Sequence, residues 1–250
     1  MSDATTLPTT RDEDWRYADG DALAAFAPQA FDVWKDVTLA PGEARTKVLV
    51  LDGTSPELHR VRLTVGEGAR AAIFAINTGT DYLRLEVEVH LAKGAHFEFG
   101  GVLLGGSGTQ EFVTRVLHAE PEASSNQTVR SVQWGRSIGN FLGRIEVAQG
   151  AQKTDAAQNF KAMLLEAGAT ANAKPELEIF ADDVKCAHGA AIGALDETAA
   201  FYMAARGLPP ETARKLLIRA FVADAFAAMD DAEQAAALLD TALGALGDAG

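Results

Sequence analysis

The chain has 250 residues, of which 48% are hydrophobic and 23% are charged, as in a soluble globular protein of one or two domains. Its formal net charge of −13 argues against a nucleic-acid partner, because binding to phosphates requires a basic surface. The single cysteine excludes an internal disulfide framework and predicts a reducing cytoplasm, and no run of eighteen apolar residues predicts a membrane span.

Residues 1–34 are predicted to form a short N-terminal leader. The opening stretch is polar and acidic and lacks the apolar centre of a secretory signal, so no export signal is expected. Short helices are predicted at Asp14–Tyr17 and Ala22–Phe31. The aromatic side chains of the segment are expected to pack the leader against the body rather than to bind a ligand; they are Trp15, Tyr17, Phe26, Phe31 and Trp34.

Residues 35–193 have the pattern of a β-solenoid. The segments VTLAPGEA, LTVGEGAR, VHLAKGAHF and IEVAQGAQK each alternate apolar residues and then reach a glycine turn. Their glycines, Gly42, Gly68, Gly94 and Gly150, are separated by 26, 26 and 56 residues, which fits one, one and two coils of equal size. Such a repeat in β-rich sequence indicates stacked coils, with glycine accepting positive φ in the turns. A jelly roll would accommodate the same strands, so the residues alone leave two folds open.

Two short sequence segments within this core are predicted to have structural roles only. The glycines between Gly100 and Gly108 are not followed by Gly-Lys-Ser/Thr, so they predict turns rather than a phosphate-binding loop. The polar run Ser124–Thr128 is predicted to form a small asparagine ladder within the stack.

The only cysteine, Cys186, stands two residues before His188. If this stretch is a strand, Val184, Cys186 and His188 share one face, with thiol and imidazole about 7 Å apart along the backbone. Sulfur and imidazole nitrogen are ligands for zinc, copper and iron–sulfur iron, but two ligands do not complete a site. A bound metal would therefore need further ligands, most simply from a second polypeptide. The alternative is a buried cysteine beside a hydrogen-bonded histidine.

Asp182 and Asp183 precede this pair. At this point the residues expected to face inward change from odd-numbered to even-numbered positions. Paired carboxylates can catalyse proton transfer or hold a hard cation, but aspartate also suits turns. A turn or bulge is predicted here in preference to a catalytic site.

Residues 194–250 are predicted to form a small helical domain. Asp196 is expected to cap a helix through Ala205 that Gly207 closes, and Pro210 is expected to open the next. That second helix is predicted to carry an apolar stripe of Leu217, Phe221 and Ala225. A third helix is predicted over Asp231–Leu246.

One long stretch resembles a known family. The run KPELEIFADDVKCAHGAAIGALDETAAFYMAARGLP, with RKLLIRAF soon after, is similar to the C-terminal signature of the SufB/SufD family of iron–sulfur cluster assembly proteins. GRIEVAQGAQKTDAAQNFKAMLL resembles the preceding segment of the family, and TRDEDWRYAD resembles a tryptophan-containing motif near its start. Within the family, VKCAHGA resembles SufD, since SufB-like chains carry an acidic residue where Gly189 stands and a second cysteine on a neighbouring strand.

The resemblance implies a mainly β fold, a right-handed parallel β-helix with a small C-terminal helical domain. It implies a non-enzymatic assembly component that pairs with SufB through the β-helices and binds the ATPase SufC through its C-terminal helices. A transient iron–sulfur cluster would form at the SufB–SufD interface, with His188 as the first choice of iron ligand and Cys186 as the second or as a sulfur acceptor. Reduced flavin associates with the complex in some members, and the residues do not place it.

The resemblance leaves open whether the chain forms a homodimer when SufB is absent. It also implies a larger helical N-terminal region in full-length members, which the leader matches in reduced form. Two alternatives come from other classes: a metal-free structural scaffold, and a β-helix enzyme that acts on polysaccharide.

Overall fold

The computed structural model describes residues 7–247. The first six residues of the predicted leader and residues 248–250 of the predicted helical domain lie outside the described residues. The described chain contains twelve strands and four α-helices. No helix within residues 7–247 is long and apolar enough to cross a membrane.

The strands form two six-stranded sheets in which every recorded pairing is parallel. The odd sheet has the order β1-β3-β5-β7-β9-β11, and the even sheet has the order β2-β4-β6-β8-β10-β12. The strands are β1 Lys35–Leu39, β2 Ala44–Leu51, β3 Glu57–Val65, β4 Arg70–Asn77, β5 Tyr82–Leu91, β6 His96–Gly105, β7 Thr109–His118, β8 Ser124–Gln133, β9 Ile138–Val147, β10 Asp155–Leu164, β11 Thr170–Ile179 and β12 Lys185–Ala194.

Each odd strand and the even strand that follows it make one coil of a β-solenoid. The predicted mainly β solenoid with C-terminal helices is confirmed, and the jelly roll is excluded because its strands are antiparallel. The coils lengthen along the chain: Lys35 lies beside Val61 at the first step of the odd sheet, and Ile138 lies beside Thr170 at the last. Insertions at the corners leave the stacking in register.

The interior of the first coils is apolar because alternate residues of both sheets point into it. Columns of inward-facing side chains run across the strands, and one contains Leu63, Val89 and Val116. Aromatic side chains fill the space between the sheets, with Phe99 edge-on to Phe112 and Phe141 stacked on Phe160. This packing holds the two sheets together.

The corner after each of the first five odd strands has one residue with a left-handed backbone. Gly42, Gly68 and Gly94 occupy it in the first three coils, as predicted, with φ of 71°, 64° and 64°. The next two coils place Glu122 and Lys153 there, and the backbone hydrogen bonds continue through both residues. The predicted alignment of Gly150 is therefore wrong, because the longer coil moves the equivalent position three residues on, to Lys153.

From the fourth coil onward the interior also contains buried polar side chains. Thr114 donates a hydrogen bond to Gln127, and His118 Nε2 lies 2.9 Å from Ser125 Oγ. The predicted asparagine ladder at Ser124–Thr128 is wrong, because Asn126 bonds to Glu98. An asparagine pair occurs instead on the odd sheet, where Asn172 Nδ2 donates to Asn140 Oδ1 at 2.9 Å.

The leader covers the outer face of the odd sheet. It contains helix α1 (Gly20–Ala25) between two short 3-10 turns, Glu13–Trp15 and Pro28–Asp32. The predicted packing role of its aromatic residues is confirmed for Trp15 and Phe31, which are buried and lie edge-on 5.4 Å apart. The cluster also contains Phe26 and Tyr82 of β5.

A charged network lies beneath the leader. The guanidinium of Arg84 is fully buried, lies 3.7 Å from the Trp15 ring and donates to Glu111 at 2.8 Å. Burial opposes ionisation of Glu86, but the cationic side chains of Arg84, Arg115 and Arg60 lower its pKa. Because these charges are hydrogen-bonded to one another, they can remain buried where single charges could not.

Three further helices follow the solenoid: α2 Glu197–Ala204, α3 Pro210–Ala223 and α4 Ala232–Leu246. The predicted starts are confirmed, since the Asp196 side chain accepts from Ala199 N, and Asp231 does the same for Gln234 N. Gly207 follows α2 with φ of 89°.

Helices α3 and α4 cover the outer face of the even sheet. Of the predicted stripe, Ala225 is buried just beyond the end of α3, but Leu217 and Phe221 are partly exposed. Their neighbours Ile218 and Val222 are the buried residues of the helix. An ion pair between Arg130 of β8 and Asp224 also joins the helices to the sheet. The shared cluster contains Phe74, Ile76, Val102, Leu104, Val132, Ile218, Val222, Phe226, Leu238 and Ala242.

The buried His118 should make the fold sensitive to acid. Burial lowers the pKa of His118 from 6.5 to about 4, so between these values the unfolded chain binds a proton that the folded chain does not. The free energy of unfolding should therefore fall as the pH falls through this window, by about 3 kcal/mol in full. His118→Gln removes the titrating group and should flatten the dependence in denaturant titrations at several pH values. His90→Gln, at a partly exposed position, should behave as wild type, and parallel curves for all three proteins would contradict this assignment.

Candidate functional site

The last coil of the solenoid, β11 and β12, carries the predicted site. Strand β12 pairs with β10, and β11 pairs with β9, and neither has a second strand neighbour within residues 7–247. The outer backbone edges of both strands are therefore available for pairing with another chain. Most residues of β12 are exposed, and alanine and glycine make up much of the strand.

Cys186 and His188 both lie on β12, which is extended as predicted. In register, Cys186 lies beside Ala156 and His188 beside Gln158 on β10. Ala156 and Gln158 are buried, so these positions continue two inward-facing columns to the open end of the stack. The structure thus brings the two side chains to one face, at the place where no further coil covers them.

The two side chains have different surroundings. Cys186 is half-buried and, with Val184, packs against an apolar cluster that includes Ile145 and Val147. Burial raises the pKa of the Cys186 thiol, and the nearby Asp155 carboxylate raises it further. His188 is exposed. The imidazole is therefore the more accessible ligand, whereas the thiol is held in its protonated form.

Cys186 and His188 are the candidate ligands on this strand. No group of three or more histidine, cysteine, aspartate or glutamate side chains within residues 7–247 is arranged to hold a metal ion. His59 and His90 instead contact neighbouring glutamates on the odd sheet. A metal or cluster bound at β12 would need ligands from outside this part of the chain.

Asp182 and Asp183 lie in the connection between β11 and β12, where a turn was predicted. The backbone of Asp183 accepts a hydrogen bond from Lys153 N and donates one to Gln152 Oε1 at 2.9 Å. These bonds attach the last corner to the preceding coil. They give Asp183 a structural role that supports the start of β12.

Sequence reasoning missed the polar column that leads to His188. Gln127 and Gln158 occupy successive inward positions on β8 and β10, and both are buried. The signal was present, because the polar run Ser124–Thr128 has alternate residues that must point inward. The predicted asparagine ladder within the stack does not identify Gln127 as part of an inward-facing polar column.

Comparisons with known proteins place the chain among iron–sulfur cluster assembly proteins. Residues 43–221 match the family described as SUF system FeS cluster assembly, SufBD core domain. The chain is 37% identical over 118 residues to the iron–sulfur cluster assembly protein SufD of Escherichia coli, covering 47% of this chain and 28% of that protein. It is 31% identical over 174 residues to a SufBD family assembly protein of Synechocystis, covering 69% and 38%.

A chloroplast protein of Arabidopsis thaliana, ABCI7, is 40% identical over 116 residues, covering 45% of this chain and 24% of that protein. The chain thus spans less than two fifths of the length of each of these relatives. The matched part includes the whole of β12 and most of α3.

The surroundings of Cys186 predict its reactivity. Asp155→Asn removes a negative charge near the thiol, so the thiolate fraction at pH 8 should increase and alkylation by iodoacetamide should become about two- to threefold faster. Mass spectrometry can follow the reaction directly, because the chain has one cysteine. Asp182→Asn, in the adjacent connection, is the matched control and should leave the rate unchanged. Equal acceleration by both variants would show a general effect of net charge instead.

Proposed function

Because the chain belongs to the SufB/SufD family of iron–sulfur cluster assembly proteins, we propose that it is the SufD-like half of a two-chain scaffold for a nascent cluster. The observation that carries the proposal is the incomplete ligand set at an open end of the solenoid. Cys186 and His188 share the inward face of β12, and no group of three or more candidate ligands within residues 7–247 is arranged to hold a metal ion. A partner that pairs with this end would complete the site.

The proposed partner is SufB, which would join through its own β-helix. The exposed edge of β12 presents unpaired backbone groups, and its small side chains would let another strand approach closely. Pairing there would also protect an edge that is otherwise open to aggregation. A homodimer through the same edge would be the corresponding arrangement when SufB is absent.

His188 is the proposed iron ligand, and Cys186 has a secondary role as ligand or sulfur acceptor. Imidazole coordinates iron as the neutral ring, so exposed His188 needs little rearrangement. The thiol of Cys186 must lose a proton that its surroundings retain, and it must leave an apolar contact. The nascent cluster is cargo of the complex, with the partner supplying the remaining ligands. The proposed setting is the cytoplasm, where a free thiol remains reduced.

The C-terminal helices are the proposed docking surface for the ATPase SufC. Phe201 and Tyr202 of α2 are 76% and 57% exposed, and Leu216 of α3 is 43% exposed. Large apolar side chains clustered on a surface are typical of protein interfaces. In this assignment SufC hydrolyses ATP, and the chain itself is a scaffold without catalytic activity. Reduced flavin, if it joins the complex, is left without an assigned site.

Burial makes one pair of carboxylates on successive strands, Glu86 and Glu111, unsuited to a polysaccharide-active enzyme. Glu86 and Glu111 lie on successive strands of the odd sheet, as such an enzyme would need, but both are buried and paired with arginines. The leader covers them, so a polymer could not reach them. Hydrolysis of a polysaccharide by the isolated chain would reverse this conclusion.

Substitution of His188 separates cluster assembly from an inert scaffold. His188→Ala should reduce cluster formation at least about tenfold in anaerobic reconstitution with SufB and SufC, because an iron ligand is lost. The yield is measured from the visible absorption of the cluster, and Cys186→Ser should have a smaller effect. His90→Ala, an exposed histidine on the odd sheet, should have none. Normal yield from a His188→Ala complex would support the metal-free scaffold.

The docking assignment has its own test. Phe201→Asp places a charge on the exposed apolar surface of α2 and should weaken co-purification with SufC at least about tenfold while SufB remains bound. Val33→Asp alters a similarly exposed apolar residue of the leader, at 66% exposure, and should retain both partners. Loss of SufC from both variants, or from neither, would assign its docking surface elsewhere.

A further inference from the structure

Gln158 has an unused hydrogen-bond acceptor at the position next to His188. Its side chain is 2% exposed, and its Nε2 donates to the backbone oxygen of Glu176 at 3.0 Å. Its Oε1 is buried and accepts no hydrogen bond. A buried acceptor without a partner costs about 1–3 kcal/mol, so such atoms are uncommon in folded proteins.

The fold fixes where this acceptor lies. Gln158 Oε1 occupies the space above Gly143, because a Cβ built at Gly143 would collide with it. This places the amide in the interior of the fifth coil, directly before the last coil. His188 follows Gln158 in register on the adjacent strand, and neighbouring strands are about 4.8 Å apart. Two long side chains on one face of such strands lie side by side.

We infer that Gln158 is a positioning residue for His188: its Oε1 accepts the N–H of the neutral His188 imidazole. The inference rests on the proposed role of His188 as an iron ligand and deepens it. His188 is exposed at the end of the stack, where no further strand covers β12 within residues 7–247. The bond leaves the opposite ring nitrogen with its lone pair directed away from Gln158.

The chemical consequence is a fixed tautomer. A neutral imidazole carries one proton, and the nitrogen without it is the one that can bind a metal. Metal-binding histidines commonly donate their other N–H to a carbonyl or carboxylate, which fixes the orientation of the ring and increases its basicity. Gln158 supplies such a carbonyl from within the chain. Its Nε2 donates to the backbone oxygen of Glu176, and this hydrogen bond opposes a 180° rotation of the amide group.

The first test is performed on the isolated chain without metal. In protein labelled with ¹⁵N-histidine at about pH 8.5, where histidine is normally neutral, the nitrogen shifts of His188 report its tautomer ratio. Gln158→Met keeps a similar volume without the acceptor and should change this ratio by about fivefold, the equivalent of one net hydrogen bond of about 1 kcal/mol. Gln158→Glu retains an acceptor oxygen and should preserve the wild-type preference. Assignment of the resonance uses His188→Gln.

Gln127→Met is the matched control. Gln127 occupies the same inward column one coil earlier, is equally buried, and is separated from His188 by Gln158. It should perturb packing to a similar extent and leave the His188 ratio unchanged. An unchanged ratio in folded Gln158→Met, or equal changes in both methionine variants, overturns the inference.

A reciprocal measurement covers the case in which Gln158→Met does not fold. His188→Ala alters an exposed side chain, so the fold should be retained, and the ¹³C shift of the Gln158 side-chain carbonyl should change. The same shift should be unaffected by His96→Ala on β6. No change in either protein overturns the proposed contact.

Cluster yield distinguishes this inference from the proposed function. At limiting iron, Gln158→Met in the reconstituted complex should lower the yield about tenfold, less than complete loss of the ligand. A tautomer change with unaffected assembly in His188→Ala would retain the contact and reject the iron-ligand role. An unchanged tautomer with impaired His188→Ala assembly would retain the iron-ligand role and reject Gln158 as its positioning residue.

Discussion

Parallel, in-register stacking of coils is the constraint on which the rest of this structure depends. Each strand satisfies its backbone groups with the strands of the coils before and after it, so an internal coil leaves none of its edges open. The same arrangement requires that a stack has two ends. Strands β11 and β12 form one end, and the candidate ligands lie on it because their columns have no further coil to cover them. The candidate site thus lies where the stack of coils ends, at an edge that a further coil or another chain could cover.

The two outer faces are closed in different ways. The even sheet is covered by apolar packing against α3 and α4, with Arg130 and Asp224 as a polar attachment. The odd sheet is covered by the leader, above a network in which Arg84, Glu86 and Glu111 are buried as charged groups. Both faces are occupied by segments of the same chain, whereas the end of the stack is open. This difference leaves the edge strands at the ends of the stack, β12 among them, as places where another chain could pair.

The sequence predicted the repeating architecture because it depends on local signals. Alternation of apolar residues and the glycines at 42, 68 and 94 are sufficient to define a coil of 26 residues, as the register of Lys35 with Val61 confirms. The prediction was wrong where coils lengthen, because Lys153 adopts a left-handed backbone that composition does not indicate. The extended strand with Cys186 and His188 on one face was also predictable from alternation.

The surroundings of Cys186 and His188 could not be predicted in the same way. Gln158 lies thirty residues before His188, and their proximity follows from the register of β10 with β12, which depends on the length of every corner between them. The buried network around Arg84 has a similar origin, since Trp15 reaches it from the leader. Side-chain contacts between adjacent coils therefore cannot be predicted from sequence patterns that describe one coil at a time.

The open last coil also affects how local stability is distributed along the solenoid. In a linear stack, each repeat is stabilised by its nearest neighbours, and a terminal repeat has only one of them. A terminal repeat is therefore expected to exchange its amide hydrogens before an internal one. The strand that carries His188 therefore belongs to the least protected part of the solenoid. A chain that bound only the ordered form of this edge would stabilise it by mass action, so the proposed ligands would become rigid upon assembly.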